Sequence, residues 1–256
     1  MIIEIFIFML GLAIGSFLNV CIHRLPRQES IVKPGSHCPY CNKFIKWYDN
    51  IPVISFIILK GRCRYCKHKI SIVYPVVELL SAFYLLYCYH IWGSSLNMIF
   101  FAIFGFCLIV AYFTDFATQI IPDQVTLGLI VLGFIFSFFN PVLREFYNLH
   151  PVVESFLGAS VGAGSVYVTG VIGKAIFKKE AMGLGDVKFM AGIGAYLGWK
   201  LVLLIYFIAP FFAIFYGVYR LLRYKDEYLP YGPFLVLATI FVIVFRQNIV
   251  NLIFFR

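Results

Sequence analysis

Apolar residues fill this chain in long blocks, and polar residues interrupt them briefly. A helix needs about 20 mostly apolar residues to cross a hydrocarbon core of about 30 Å. By that measure the pattern predicts helices over roughly 2–20, 73–92, 96–114, 123–140, 152–176, 187–199, 200–222 and 233–253. The sixth is short and glycine-rich, and it abuts the seventh at Gly198-Trp199-Lys200. One interval breaks the rhythm: residues 21–72 are long, polar and basic. The predicted fold is therefore all-α, a polytopic membrane bundle of about eight spans with one small loop domain. The expected division is an amino-terminal domain over 1–92, containing the loop 21–72, and a membrane domain over 93–256.

Composition strengthens the membrane reading. The 256 residues are 62% hydrophobic and 13% charged, whereas soluble domains hold about 25% charged residues. The first block carries Glu4 where a signal peptide would carry basic residues, and no small-residue cleavage site follows it. It reads as a retained helix.

Charge sets the expected orientation. The interval 21–72 holds ten lysines and arginines against Glu29 and Asp49. Alternation of spans gives that side seventeen basic residues, Lys179 and Lys225 among them, and leaves four for the other: Arg144, Lys200, Arg246 and Arg256. The positive-inside rule then puts the loop in the cytoplasm and the amino terminus outside. The net charge of +9 is accounted for by this bias and by attraction to anionic membrane lipid. No aromatic-interleaved platform accompanies it, so no nucleic acid partner is expected.

Within the loop lie two cysteine pairs, CPYC (Cys38, Cys41) and CRYC (Cys63, Cys66). A C-x-x-C turn lets two thiolates converge on one ion, and two such turns close a tetrahedral four-thiolate site. A structural zinc is the leading reading. Disulfides or a redox relay compete with it, though a reducing cytoplasm disfavours stable disulfides. Free cysteines are the third alternative. Cys21, Cys88 and Cys107 stand alone in apolar surroundings and read as packing residues. His37 and His68 read as neighbours of the cysteine turns. A loop this small cannot bury a sufficient core, and a metal is the usual staple at that size.

Carboxylates at the edges of spans carry the remaining chemistry, because a charge there is costly to insert. Glu78 follows Tyr74-Pro75, Asp115 closes the third span, and Asp186 opens the sixth in the stretch GLGD. The topology sets all three at the cytoplasmic face. Asp123 follows Pro122 and reads as a helix-start residue facing the positive dipole end. Asp186 could be a simple cap, but Gly183 and Gly185 suggest that backbone or substrate comes close there. Two carboxylates at one membrane face fit a shared-proton dyad, in which one activates water and the other donates to the scissile carbonyl. No H-E-x-x-H or P-loop pattern is present.

Taken in order, GSFLNVCIHRLP (15–26), the two cysteine pairs, NIPVISFIILKGRCRYC, YPVVELLSA, DFATQIIPD and GLGD resemble the type IV prepilin peptidase family. The resemblance covers nearly the whole chain. It implies a GxGD-type intramembrane aspartic endopeptidase of the bacterial inner membrane, with Asp115 and Asp186 in the positions of the catalytic aspartates. It further implies removal of a short basic leader from prepilin or pseudopilin precursors of pilus and type II secretion systems, on the cytoplasmic side. N-methylation of the new amino terminus would follow, with S-adenosylmethionine as donor. That second activity would fall to the amino-terminal domain with Cys38, Cys41, Cys63, Cys66 and Glu78. One departure is Ala117, where many members carry a second acidic residue. No glycine-rich cofactor loop marks a methyl-donor site, so the transferase half rests on the resemblance alone.

Two other classes compete. An ion-coupled transporter could use intramembrane aspartates, but would favour mid-bilayer charge and internal repeats. A membrane thiol oxidoreductase could use the two C-x-x-C pairs.

Overall fold

The computed structural model describes residues 1–145, 147, 149–178, 182–224 and 230–254. Lys179, Lys225 and Arg256, which contribute to the charge bias, lie outside the described residues, as does Ala181 beside the GLGD stretch. Among the described residues the chain is helical, with no sheet and only two isolated β-bridges. The helices are α1 (Ile2–Arg24), α2 (Ile54–Ile58), α3 (Val73–Trp92), α4 (Leu96–Thr118), α5 (Asp123–Phe136), α6 (Pro141–Glu145), α7 (Pro151–Phe177), α8 (Leu184–Tyr224) and α9 (Gly232–Phe254). Among the described residues, four apolar stretches are long enough to cross a bilayer: Ile2–Arg27, Leu96–Thr118, Pro151–Ile176 and Leu184–Arg220. Asp123–Phe139 and Gly232–Phe245 are shorter apolar helices. The protein is thus a multi-pass helical membrane protein.

Two compact units divide the chain, Met1–Val110 and Ala111–Arg256. In the first, α1 and α3 lie side by side. Small residues let them approach: a Cβ on Gly11 would sit 2.5 Å from Ala82 Cα, and one on Gly15 would sit 2.6 Å from Glu78 Cα. Such a G-x-x-x-G seam substitutes close packing for the hydrophobic effect, which lipid does not supply. Toward the loop end of the pair, Asn19 Nδ2 donates to Tyr74 O at 3.0 Å. Arg24 is buried and turns back to donate to Ser30 O (2.9 Å), which starts the loop.

In the second unit α8 packs against α5, α7 and α9. It is not one rod. Gly198 leaves helical geometry (φ 79°, ψ 173°), the point where the sequence pattern predicts one span to meet the next. A break inside a membrane frees backbone groups that lipid cannot satisfy. Side chains satisfy them here: Ser155 Oγ donates to Ala195 O (2.8 Å), Asn140 Nδ2 to Tyr196 O (2.7 Å), and Tyr147 Oη to Leu197 O (2.7 Å). Tyr147 Oη also accepts from Leu201 N at 3.3 Å.

Candidate active site

Asp115 belongs to the last turn of α4, which ends when Gln119 turns left-handed (φ 56°) with its N–H on Asp115 O at 2.8 Å. Its side chain is 5% exposed. From the far end of the sequence the first residue of α9 reaches it: Gly232 N donates to Asp115 Oδ2 at 2.9 Å. The first N–H groups of a helix have no partner within it, so α9 offers a free donor and its positive dipole end to the carboxylate. Asp186 sits in the first turn of α8, its N–H on Gly183 O at 3.2 Å, so it too lies at a positive helix end.

The two aspartates line one cleft of about 260 Å³, together with Gln119, Ile120, Ile121, Asp123, Gly183 and Gly185. Asp123 heads α5, as the sequence suggests, but its carboxylate does not cap the helix. It pairs instead with Lys188 Nζ at 2.6 Å, tying the start of α5 to α8 beside the cleft.

The two glycines of GLGD are not required by packing. A Cβ on Gly183 would find its nearest neighbour at 3.5 Å (Asp186 Oδ2), and one on Gly185 at 3.6 Å (Ile121 Cβ). Both are ordinary contact distances. Gly232 differs, since a Cβ there would sit 2.8 Å from Asp115 Oδ2. Sequence reasoning missed Gly232. The available signal was its place in Pro230-Tyr231-Gly232-Pro233, a tight stretch at the head of a span.

The loop builds a second centre. Cys38 N donates to Lys43 O (3.0 Å) and Cys63 N to His68 O (2.9 Å); Asn42 N donates to Cys38 O (2.8 Å) and Lys67 N to Cys63 O (3.0 Å). Asn42 and Lys67 both take positive φ, 52° and 60°. The bridges His37↔Phe44 and Arg62↔Lys69 close the two turns in the same register. The turns are therefore two copies of one knuckle, joined by stacking of Tyr40 on His68 and by Lys43 over the Tyr65 ring. The four Sγ atoms lie within 4.8 Å of one another, Cys38 and Cys66 at 3.8 Å, so the four can hold a metal ion. A tetrahedral ion with bonds of about 2.3 Å needs sulfurs about 3.8 Å apart. Backbone N–H groups of Cys66 and Tyr65 draw the Cys63 thiol below its ordinary range, despite some desolvation, while desolvation and the neighbouring thiols push the Cys66 thiol up to about 11. The salt bridge of Arg64 to Asp49 (2.6 and 2.7 Å) ties the 3₁₀ turn Trp47–Asn50 to the second knuckle, and its hydrogen bonds hold the Asp49 carboxyl below the usual range.

Glu78 is 7% exposed, packed at Gly15, and its Oε2 accepts Val53 N at 2.7 Å.

Residues 9–92 match the family described as bacterial peptidase A24 N-terminal domain, and residues 101–218 match the type IV leader peptidase family. A prepilin leader peptidase/N-methyltransferase of Klebsiella pneumoniae is 36% identical over 201 residues, covering 76% of this chain and 85% of that protein. The chain belongs to the type IV leader peptidase family. A Legionella pneumophila protein of the same description is 31% identical over 267 residues, covering 94% and 91%. Another from Myxococcus xanthus is 34% identical over 218 residues, covering 85% of this chain and 63% of that protein. No solved structure matches.

Proposed function

We propose that this chain is an intramembrane aspartic endopeptidase that removes the short basic leader of type IV prepilin-like precursors, and then N-methylates the new amino terminus. The observation that carries the reading is the single cleft lined by Asp115, Asp186, Gly183 and Gly185. Two carboxylates facing one cleft share a proton, because like charges at close range disfavour double ionisation. The ionised member takes a proton from water as the water oxygen attacks the scissile carbonyl. The protonated member gives its proton to the carbonyl oxygen; the tetrahedral diol then collapses as the first aspartate passes its proton to the amide nitrogen and the second takes one back from a diol hydroxyl, so the C–N bond breaks to leave the leader's carboxyl group and the mature chain's amine. Gly232 N–H fixes Asp115 for this exchange. That neither Gly183 nor Gly185 is required by packing supports a role in the approach of an extended peptide. The substrate's apolar segment, held among the helices, supplies proximity.

The charge bias supports a bacterial inner membrane location with about eight spans and the cleft at the cytoplasmic face. The expected domains are 1–92 and 93–256, and zinc is the expected ion at Cys38, Cys41, Cys63 and Cys66, as a closed structural site. S-adenosylmethionine is the methyl donor that the family resemblance implies. Glu78 is the proposed methyltransferase residue, with its Oε2 held by Val53 N–H.

The test is leader cleavage of a pilin-like precursor by detergent-purified wild type, Asp115→Asn and Asp186→Asn, with S-adenosylmethionine present. Both folded variants are expected to lose cleavage while keeping their metal. A variant that still cleaves overturns the dyad, and a wild-type product without a methyl increment removes the second activity.

A further inference from the structure

The loop between α1 and α3 contains one segment that does not resemble a water-facing loop. Residues 51–59 read IPVISFIIL, apolar except for Ser55. Its helix α2 leaves Ile54, Ile57 and Ile58 exposed, at 47%, 67% and 67%. Three large aliphatic side chains on one short helix would forfeit a few kcal/mol if they faced water.

The depth of this segment follows from its anchor. Val53, the residue before α2, gives its N–H to Glu78 Oε2 at 2.7 Å. Glu78 packs at Gly15 of α1, while Asn19 of α1 meets Tyr74 of α3. Gly15 to Asn19 lie five to nine residues before Arg24. At 1.5 Å per residue, the anchor is roughly 8–13 Å inward from that basic helix end, along a helix that crosses the bilayer. An interfacial helix buries its apolar face about 5–10 Å below the headgroups.

The backbone is prepared for that setting. Ile57 N donates to Val53 O, Leu59 N to Ser55 O, Lys60 N to Ile57 O and Gly61 N to Phe56 O. The one polar side chain is also satisfied, Ser55 Oγ donating to Ile51 O at 2.6 Å. To reach this position Val53 adopts φ 60°, ψ −49°, a conformation that costs a β-branched residue energy and persists only where its surroundings impose it. The flanks carry Trp47 and Tyr48 on one side and Lys60 and Arg62 on the other, the aromatic and basic residues that headgroups favour.

We propose that residues 51–59 form a re-entrant hook, with Ile54, Ile57 and Ile58 of α2 inserted among the acyl chains of an anionic bilayer. The cysteine module is then held on the membrane surface at three places: the end of α1, the start of α3, and the hook. This proposal needs α1 in the bilayer and is independent of the peptidase reading.

The test uses the full chain with Trp47, Trp92 and Trp199 replaced by phenylalanine and with Ile57→Trp, reconstituted in vesicles of mixed phosphatidylcholine and phosphatidylglycerol. Lipids brominated midway along their acyl chains should remove most of the emission, and aqueous acrylamide should remove little. A companion chain that keeps only Trp47 should show the reverse ranking. Quenching of the Ile57→Trp variant by acrylamide and not by bromolipid overturns the proposal. Protection from both quenchers overturns it too, by assigning the face to protein, whether this chain or a second copy. Ile58→Trp gives the same readout should the first variant fail to fold.

Discussion

Gly232 donates its N–H to Asp115 Oδ2 at 2.9 Å, and a side-chain carbon on that glycine would lie 2.8 Å from the same oxygen. The bond and the missing side chain are one requirement. Gly232→Ala should push the carboxylate away and lose a charge-assisted hydrogen bond worth about 1.5–3 kcal/mol. The expected outcome is a fall in kcat/KM for leader cleavage of roughly 10- to 100-fold. The thermal midpoint should change little, and the comparison of the two measurements checks the assignment.

Gly185→Ala should separate folding from function in the opposite sense. Its new methyl meets nothing nearer than 3.6 Å, so the melting temperature should hold or rise slightly, because alanine favours the helix. If an extended peptide passes there, cleavage should drop about 100-fold through misplacement of the scissile bond. Unchanged cleavage would remove substrate approach as the reason for the glycine.

Asp123 lines the same cleft, yet its carboxylate is engaged with Lys188 in a pair whose members are 59% and 37% exposed. Exposed pairs contribute about 0–1 kcal/mol. Asp123→Asn should therefore lower stability by about 1 kcal/mol at most, and leave cleavage within about threefold of wild type. Abolished cleavage would return Asp123 to the list of catalytic candidates.

Cys38→Ser and Cys63→Ser each remove one sulfur from the four-thiol cluster. Bound zinc should fall from about one ion per chain to a small fraction, measured by metal analysis after purification in reductant. Limited proteolysis should then cut within 28–71, while α1 and α3 stay paired through Gly11 and Gly15. A chain that keeps its metal after either change would show that the ion sits elsewhere.

Much of this was legible from spacing alone. Apolar runs predict helix boundaries to within a few residues at α3, α7 and α9, because the bilayer imposes a length on any segment that crosses it. The break at Gly198 was visible as a glycine two residues before a lysine, between two apolar runs. The register of Cys38–Cys41 and Cys63–Cys66 was visible because two-residue knuckles are local objects. Other features depend on residues distant in sequence. Nothing local links Gly232 to Asp115, Lys188 to Asp123, or Val53 to Glu78. α2 was hidden for a different reason: its apolar run is far too short to register as a span, and it lies inside an otherwise basic loop.

The break in α8 has a consequence for the height of Asp186. The segment from Leu184 to Leu197 carries the aspartate at one end, and at about 1.5 Å per residue it measures about 21 Å. That is shorter than a bilayer core, and its other end rests on a floor made by Asn140, Tyr147 and Ser155. Asp186 is thus hung at a set distance from an internal datum, like a mark on a ruler. Inserting one residue between Val187 and Leu197 would raise the mark by about 1.5 Å and turn it by about 100°. Natural variation in length should accumulate before Gly183 or beyond Gly198, and spare the graduated part between them.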